Sequence, residues 1–157
     1  MTAAPRIFHL LQRAHGALFR AADRRLQAAE GVTATQHGVL LALSRDDGQP
    51  ISAIADSLKM GKSSLTGLVD RMAADGLVRR EIDADDLRVQ RIFIERRGRG
   101  IVTRTLGDVK RFNEDLLKPF TASERRTIER FLSHIAEQAA TIVEGVPEES
   151  SERKKSA

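Results

Sequence analysis

Lys62-Ser63-Ser64-Leu65-Thr66-Gly67-Leu68-Val69-Asp70-Arg71-Met72 lies at the centre of the stretch Ile51 to Glu95, and its reading decides the fold. Leu65, Leu68, Val69 and Met72 recur at i, i+3, i+4 and i+7, the spacing of one apolar helix face. With about 100° between residues, Ser63, Gly67, Asp70 and Ala74 point the other way, flanked by Ser64, Thr66 and Arg71. That outward face carries small residues, hydroxyls and a cation, equipment suited to entering a DNA groove.

The neighbouring residues give the helix its context. Upstream, Ile51, Ile54, Ala55 and Leu58 repeat the same spacing over about two turns, with Ser52 as a candidate cap. Gly61 separates this short helix from the central one, which is expected to begin at Ser63 or Ser64. Such a pair is a helix-turn-helix by pattern. Downstream, Asp75-Gly76 stops the central helix and Leu77 to Ile82 reads as a strand. A polar turn, Asp83 to Leu87, leads into the alternating strand Val89 to Ile94. Helix, helix, strand, loop, strand is the order of a winged helix, and the order is far more specific than any of its parts.

Helices flank this unit on both sides. Ile7 to Ala29 keeps near-helical apolar spacing, with Phe8, Leu10 and Phe19 widening the stripe into either a broad core face or a dimer surface. Gly31 ends it, and Thr33-Ala34-Thr35-Gln36 is a capping box opening a helix through Val39, Leu40 and Leu43. Arg45 to Pro50 reads as a turn. A long helix is expected from about Gly98 to Lys118, interrupted by Pro119. Thr121-Ala122-Ser123-Glu124 is a second capping box, opening a last helix through Ile142. The expected class is mainly α with a small β-hairpin wing. Residues 1–30 and 98–146 form the flanking helices, 31–97 the winged helix-turn-helix lobe, and 147–157 a disordered polar tail.

The bulk numbers fit one domain. The chain has 157 residues, 41% hydrophobic and 31% charged. A net charge of +4, from 26 basic against 22 acidic residues, permits a nucleic-acid partner without proving one. The absence of cysteine removes disulfides, thiolate nucleophiles, Cys-ligated zinc and thiol redox sensing. No apolar run approaches a membrane span, and Met1 to Arg6 does not open a secretory signal, so a cytoplasmic protein without membrane contact is expected. The four histidines form no local metal motif and no nucleophile spacing is present. The expectation is therefore no enzyme, catalytic residue, metal or cofactor.

Taken together, Ser63 to Met72, the following DGLVRR and the wing Asp86-x-Arg88 resemble the MarR family (multiple antibiotic resistance regulator) of winged-helix transcription factors. The resemblance runs from the first helix to the last, the terminal helices matching by position and pattern. It implies a homodimer built from the terminal helices, with two recognition helices in successive major grooves of a pseudo-palindromic operator. Half-site centres then lie roughly 10 bp apart, or a multiple of that. Lys62, Ser63, Ser64, Thr66, Gly67 and Arg71 are the recognition-helix candidates. One of the two serines serves equally well as a helix cap, and Gly67 brings backbone near DNA without a reading side chain. Arg88 is the candidate for the minor groove, where A·T-rich sequence deepens the negative potential. Asp86 is the residue that orients it by a bidentate pair. Arg80, Gln90 and Arg91 are candidate phosphate contacts.

The chain departs from the family pattern in two places. Ile94-Glu95 stands where Leu-Thr is frequent, ahead of the basic run Arg96-Arg97-Gly98-Arg99, and Leu87 stands where another Arg often accompanies Arg88. The resemblance also implies an effector pocket near the first two helices and the start of the long C-terminal helix. Arg13, His15, Arg20 and His37 are the candidates to hold a small anionic aromatic or acyl compound. A ligand-responsive repressor is thus the leading expectation. An activator, a regulator without a small-molecule effector and a helical protein-interaction module are its competitors.

Overall fold

The computed structural model describes residues 6–145. The tail expected at 147–157 lies outside them. The chain divides into two compact units at Gly107 and Asp108. Helix α1 (Ile7–Glu30) opens the first unit, followed by α2 (Ala34–Arg45), β1 (Gln49–Pro50), α3 (Ile51–Leu58), α4 (Lys62–Ala74), β2 (Val78–Ile82) and β3 (Gln90–Ile94). Helix α5 (Arg96–Leu117) runs into the second unit, which is completed by α6 (Ala122–Glu144).

Both expected capping boxes are present. Thr33 Oγ1 accepts from the Gln36 amide at 3.1 Å while Gln36 Oε1 accepts from the Thr33 amide at 2.8 Å. Thr121 and Glu124 repeat the arrangement at the start of α6. Each box satisfies two amides that a helix start otherwise leaves without partners. The α2 start is also tied to α1, because Asp23 Oδ1 accepts from the Ala34 amide at 2.7 Å. Gly31 closes α1 in the left-handed conformation.

The core of the first unit joins α2, α3, α4, the sheet and the start of α5. Val39, Leu40, Leu43, Ile54, Leu65, Val69, Met72, Leu77, Ile92, Ile94 and Ile101 are all buried in it. No residue of α1 is fully buried among the described residues; Leu26 packs partly against the core, while Phe8, Leu10, Leu18 and Phe19 remain exposed. In the second unit, α6 likewise buries no residue and leaves Phe131, Leu132, Ile142 and Val143 exposed.

Four local expectations are corrected. Gln49 and Pro50, read as part of a turn, form β1, which pairs antiparallel with β3 and makes the sheet three-stranded in the order β1-β3-β2. A two-residue strand leaves no alternation to read, and Pro50 fits because an edge strand tolerates a missing donor. Ser52 does not cap α3, whose cap position is Pro50 with no side-chain hydrogen bond. Helix α4 begins at Lys62, capped by Gly61, so neither serine is its cap. Helix α5 begins at Arg96, two residues earlier than expected, because the Glu95 carbonyl already accepts from the Arg99 amide.

Gly98 explains how α5 sits so close to the sheet. A Cβ at that position would lie 2.5 Å from the Leu77 carbonyl oxygen and 2.8 Å from Leu40 Cδ2. The backbone oxygen cannot yield without moving the start of β2. Gly98→Ala is expected to lower the unfolding free energy in a urea titration by about 1–3 kcal/mol, the usual cost of overpacking. An unchanged midpoint would show that the junction gives way freely.

Candidate nucleic-acid interface

The orientation of α4 follows from what it buries. Leu65, Leu68, Val69 and Met72 are at most 7% exposed, which turns Lys62, Ser63, Ser64, Asp70 and Arg71 to the surface. No side chain caps the start of α4, so its first amides point outward beside the unengaged Ser63 and Ser64 hydroxyls. Thr66 is half-buried and its hydroxyl donates to the Lys62 carbonyl at 2.8 Å. The Arg71 side chain has no hydrogen-bond or ion-pair partner among the described residues, while its carbonyl accepts from the Asp75 amide. The space above Gly67 is open, with only the Arg71 guanidinium within 4 Å of an added Cβ.

The wing is held by its own aspartates. Asp83, 8% exposed, accepts the amides of Asp85 and Asp86 on Oδ1 at 2.8 and 3.0 Å, and pairs through Oδ2 with Arg91. These donors hold its carboxyl below the ordinary range, the Arg91 guanidinium most of all. Beyond it, Asp86 Oδ1 accepts from the Arg88 amide at 3.1 Å and from Nε at 3.0 Å, while Oδ2 accepts from Nη2 at 3.1 Å. The Arg88 side chain is nonetheless 90% exposed. The guanidinium also holds the Asp86 carboxyl below its usual value, so the fork stays ionised at neutral pH. A long cation is thus presented at the wing tip in one orientation, with exposed Leu87 beside it.

The three expected phosphate contacts are engaged with partners inside the lobe. Arg80 forms an ion pair with Asp70 Oδ1 at 2.7 Å and donates to the Thr66 carbonyl at 3.0 Å and to Gln90 Oε1, which engages Gln90 as well. Arg91 is committed to Asp83 and to the Gly48 carbonyl at 2.9 Å. These partners lie 8 to 43 residues away in sequence, beyond the reach of any local pattern. In the basic run, Arg97 donates to the Asp75 carbonyl and Arg99 pairs with Asp47, while Arg96 keeps no partner among the described residues. Asp47 was not singled out from sequence, yet it also accepts from the Ile94 amide at 2.9 Å and so holds β3.

The effector candidates are not brought together. Arg13, His15 and Arg20 are exposed on α1, where the His15 ring stacks on Phe19 at 4.2 Å. His37 is 6% exposed, and its Nε2 lies 2.7 Å from Thr105 Oγ1. The Thr105 hydroxyl donates to the Ile101 carbonyl, so the ring nitrogen is the donor to Thr105. Nearby, Glu30 takes a forked pair from Arg104 at 2.7–3.2 Å. Glu30 and His37 interact electrostatically, and a helical rise of 1.5 Å per residue puts Arg20 roughly 15 Å and Arg13 roughly 25 Å back along α1 from Glu30. Among the described residues no group of His, Asp or Glu could hold a metal ion. No described helix is long and apolar enough to cross a membrane.

A helix-turn-helix whose second helix shows a polar face, followed by a wing tipped with an oriented arginine, defines a winged-helix protein. Comparison with known proteins takes this further. Residues 30–88 match the family model described as MarR family, to which this segment is therefore similar. It is 37% identical over 83 residues to the HTH-type transcriptional regulator TtmR of Methylorubrum extorquens, covering 53% of this chain and 43% of that protein. It is 34% identical over 104 residues to the transcriptional activatory protein BadR of Rhodopseudomonas palustris, covering 64% and 59%. The chain thus spans about half the length of these relatives. The fold is that of the MepR–DNA complex from S. aureus, with a TM-score of 0.78 at 19% identity over 87% of this chain and 99% of that one. It is also that of PcaV from Streptomyces coelicolor with its natural ligand, at 0.72 and 23% over 88% and 94%.

Burial holds the His37 pKa below its ordinary value, only partly opposed by Glu30. The unfolded chain therefore takes up this proton first as pH falls. The stability contributed by neutral His37 is complete above about pH 6.5 and declines below it. Chemical denaturation between pH 7.5 and 5 should show this decline, and His37→Asn should remove it. Superimposable profiles for the two proteins would contradict the assignment.

Proposed function

We propose that the protein is a homodimeric transcriptional regulator that binds an inverted-repeat operator. Helix α4 enters the major groove and the wing loop between β2 and β3 enters the adjacent minor groove. The single observation that carries this reading is Arg88, almost fully exposed yet fixed by a forked pair to Asp86. An exposed arginine without a ligand has no stability reason to be held so firmly, because surface ion pairs contribute little to folding. Orientation before contact is worth more where a narrow groove awaits it. Lys62, Ser63, Ser64 and Arg71 supply the major-groove and phosphate contacts from the outward face of α4. Arg96 adds a backbone contact. The structure of MepR in complex with DNA supports this use of the fold.

Dimerisation through the terminal helices follows from their exposed apolar residues, which include Phe8 and Phe19 on α1 and Phe131 and Leu132 on α6. Leaving such faces in water is costly, and a second copy covers them. Response to a small organic ligand is supported by PcaV, solved with its natural ligand. Arg13, His15 and Arg20 offer it exposed polar contacts, whereas His37 reaches a ligand only by giving up Thr105. An effector acts by favouring a dimer geometry whose α4 helices no longer match the half-site spacing. Repression is the proposed outcome. Activation is the second reading, favoured by the similarity to BadR, and the position of the site relative to a promoter separates the two.

Affinity of the purified protein for a duplex it selects from a random-sequence library tests the wing. Arg88→Ala is expected to weaken binding about tenfold or more while leaving the dimer intact, the scale of one lost charged hydrogen-bonding group. It should also lower the slope of log K against log salt by about 0.9. Unchanged affinity for A·T-flanked sites would refute the minor-groove role.

A further inference from the structure

We propose that Arg80 is a positioning residue that locks the recognition helix to the wing, so that the two enter their grooves as one rigid body; this rests on the DNA-binding reading above. Its side chain starts on β2, between the two elements that reach DNA. One nitrogen, Nη2, donates to the Thr66 carbonyl at 3.0 Å and lies 2.7 Å from Asp70 Oδ1 in an ion pair. Thr66 and Asp70 stand one turn apart on α4, so this nitrogen spans a full turn of the helix. The other, Nη1, donates to Gln90 Oε1 at the start of β3, where the chain returns from the wing loop. The guanidinium thereby ties the middle of α4 to β2 and β3, which already pair with each other along the ladder.

The geometry argues against a phosphate contact. The Arg80 side chain is only 22% exposed, whereas that of Arg88 is 90% exposed. Its Nε is buried with no acceptor among the described residues. An arginine free to reach a phosphate would turn that donor to water. The retained donor is the cost of holding the planar head where three acceptors converge. The pair also compensates Asp70, an acid 64% exposed on the α4 side chain row that faces the polyanion.

The clamp has a consequence that neither a phosphate contact nor a packing role shares. If helix and wing move as one body, the benefit of Arg88 depends on Arg80. Binding to the selected duplex is measured by fluorescence anisotropy over a salt series for wild type, Arg80→Met, Arg88→Ala and the double variant. The temperature is one at which melting curves show every protein folded. Arg80→Met is expected to weaken binding at least about tenfold with an unchanged salt slope. The penalty of Arg88→Ala should shrink from about tenfold in the wild type to under about threefold in the Arg80→Met background, the non-additivity expected of coupled residues.

Arg80→Lys and Gln90→Ala serve where Arg80→Met does not fold. Lysine keeps the charge facing Asp70 but lacks the fork, and Gln90→Ala removes the β3 limb alone. Both should reduce the Arg88→Ala penalty. Penalties that multiply, with a salt slope reduced by about 0.9, would make Arg80 a phosphate contact and overturn the proposal. Wild-type affinity in folded Arg80→Met would leave it a packing residue and overturn it equally. A wild-type protein that selects no duplex would sink the DNA-binding reading itself, and this inference with it.

Discussion

The rotation of α4 about its own axis is the constraint on which the rest depends. Leu65, Leu68, Val69 and Met72 pack completely, and a helix with one such stripe has one stable rotation. Everything presented on the other side is a consequence: the uncapped start, the serine hydroxyls, the open space above Gly67 and the unpaired Arg71. A change of one residue in the register of that stripe would turn the helix by about 100° and bury the polar face. The same burial joins α4 to α3 and to β2, so the helix cannot move without the lobe.

The wing adds a second level of order built from charge rather than apolar packing. Asp83 folds the loop onto itself, Arg91 ties its base to the Gly48 carbonyl, and Asp86 fixes Arg88. The Asp86–Arg88 pair is exposed and so contributes little to stability. The effect of these contacts is to reduce the number of conformations the loop explores, which is the quantity a binding event otherwise has to supply. Because Asp83 and Asp86 are held below ordinary carboxyl values by their partners, this order persists at neutral pH and weakens only in acid.

The sequence carried the local physics well. Both capping boxes, the apolar face of α4, the stop at Gly76 and the Asp86–Arg88 fork are short-range patterns, and each is present. What it did not carry depends on partners distant in the chain. Arg80 and Arg91 read as surface cations because nothing local marks Asp70, Thr66 and Gly48 as their acceptors. Asp47 read as a turn residue although it holds β3 across 47 positions. Strand β1 exists only through its pairing with β3, and the close approach of α5 that Gly98 permits is announced by no spacing. His37 read as an effector group, but its environment, shaped by Thr105 and by Glu30 beside Arg104, is made by three helices.

Hydroxyl-radical footprinting of the protein on its selected duplex tests the central claim most directly, because the radical reports sugar accessibility along the minor groove. A reader made of a fixed helix and a fixed wing predicts a two-fold symmetric pattern. Two protected minor-groove stretches should flank the major-groove contacts, and both should be lost together when Arg88 is truncated. Protection confined to the backbone around α4, with wing-side sugars cleaved as in free DNA, would contradict it.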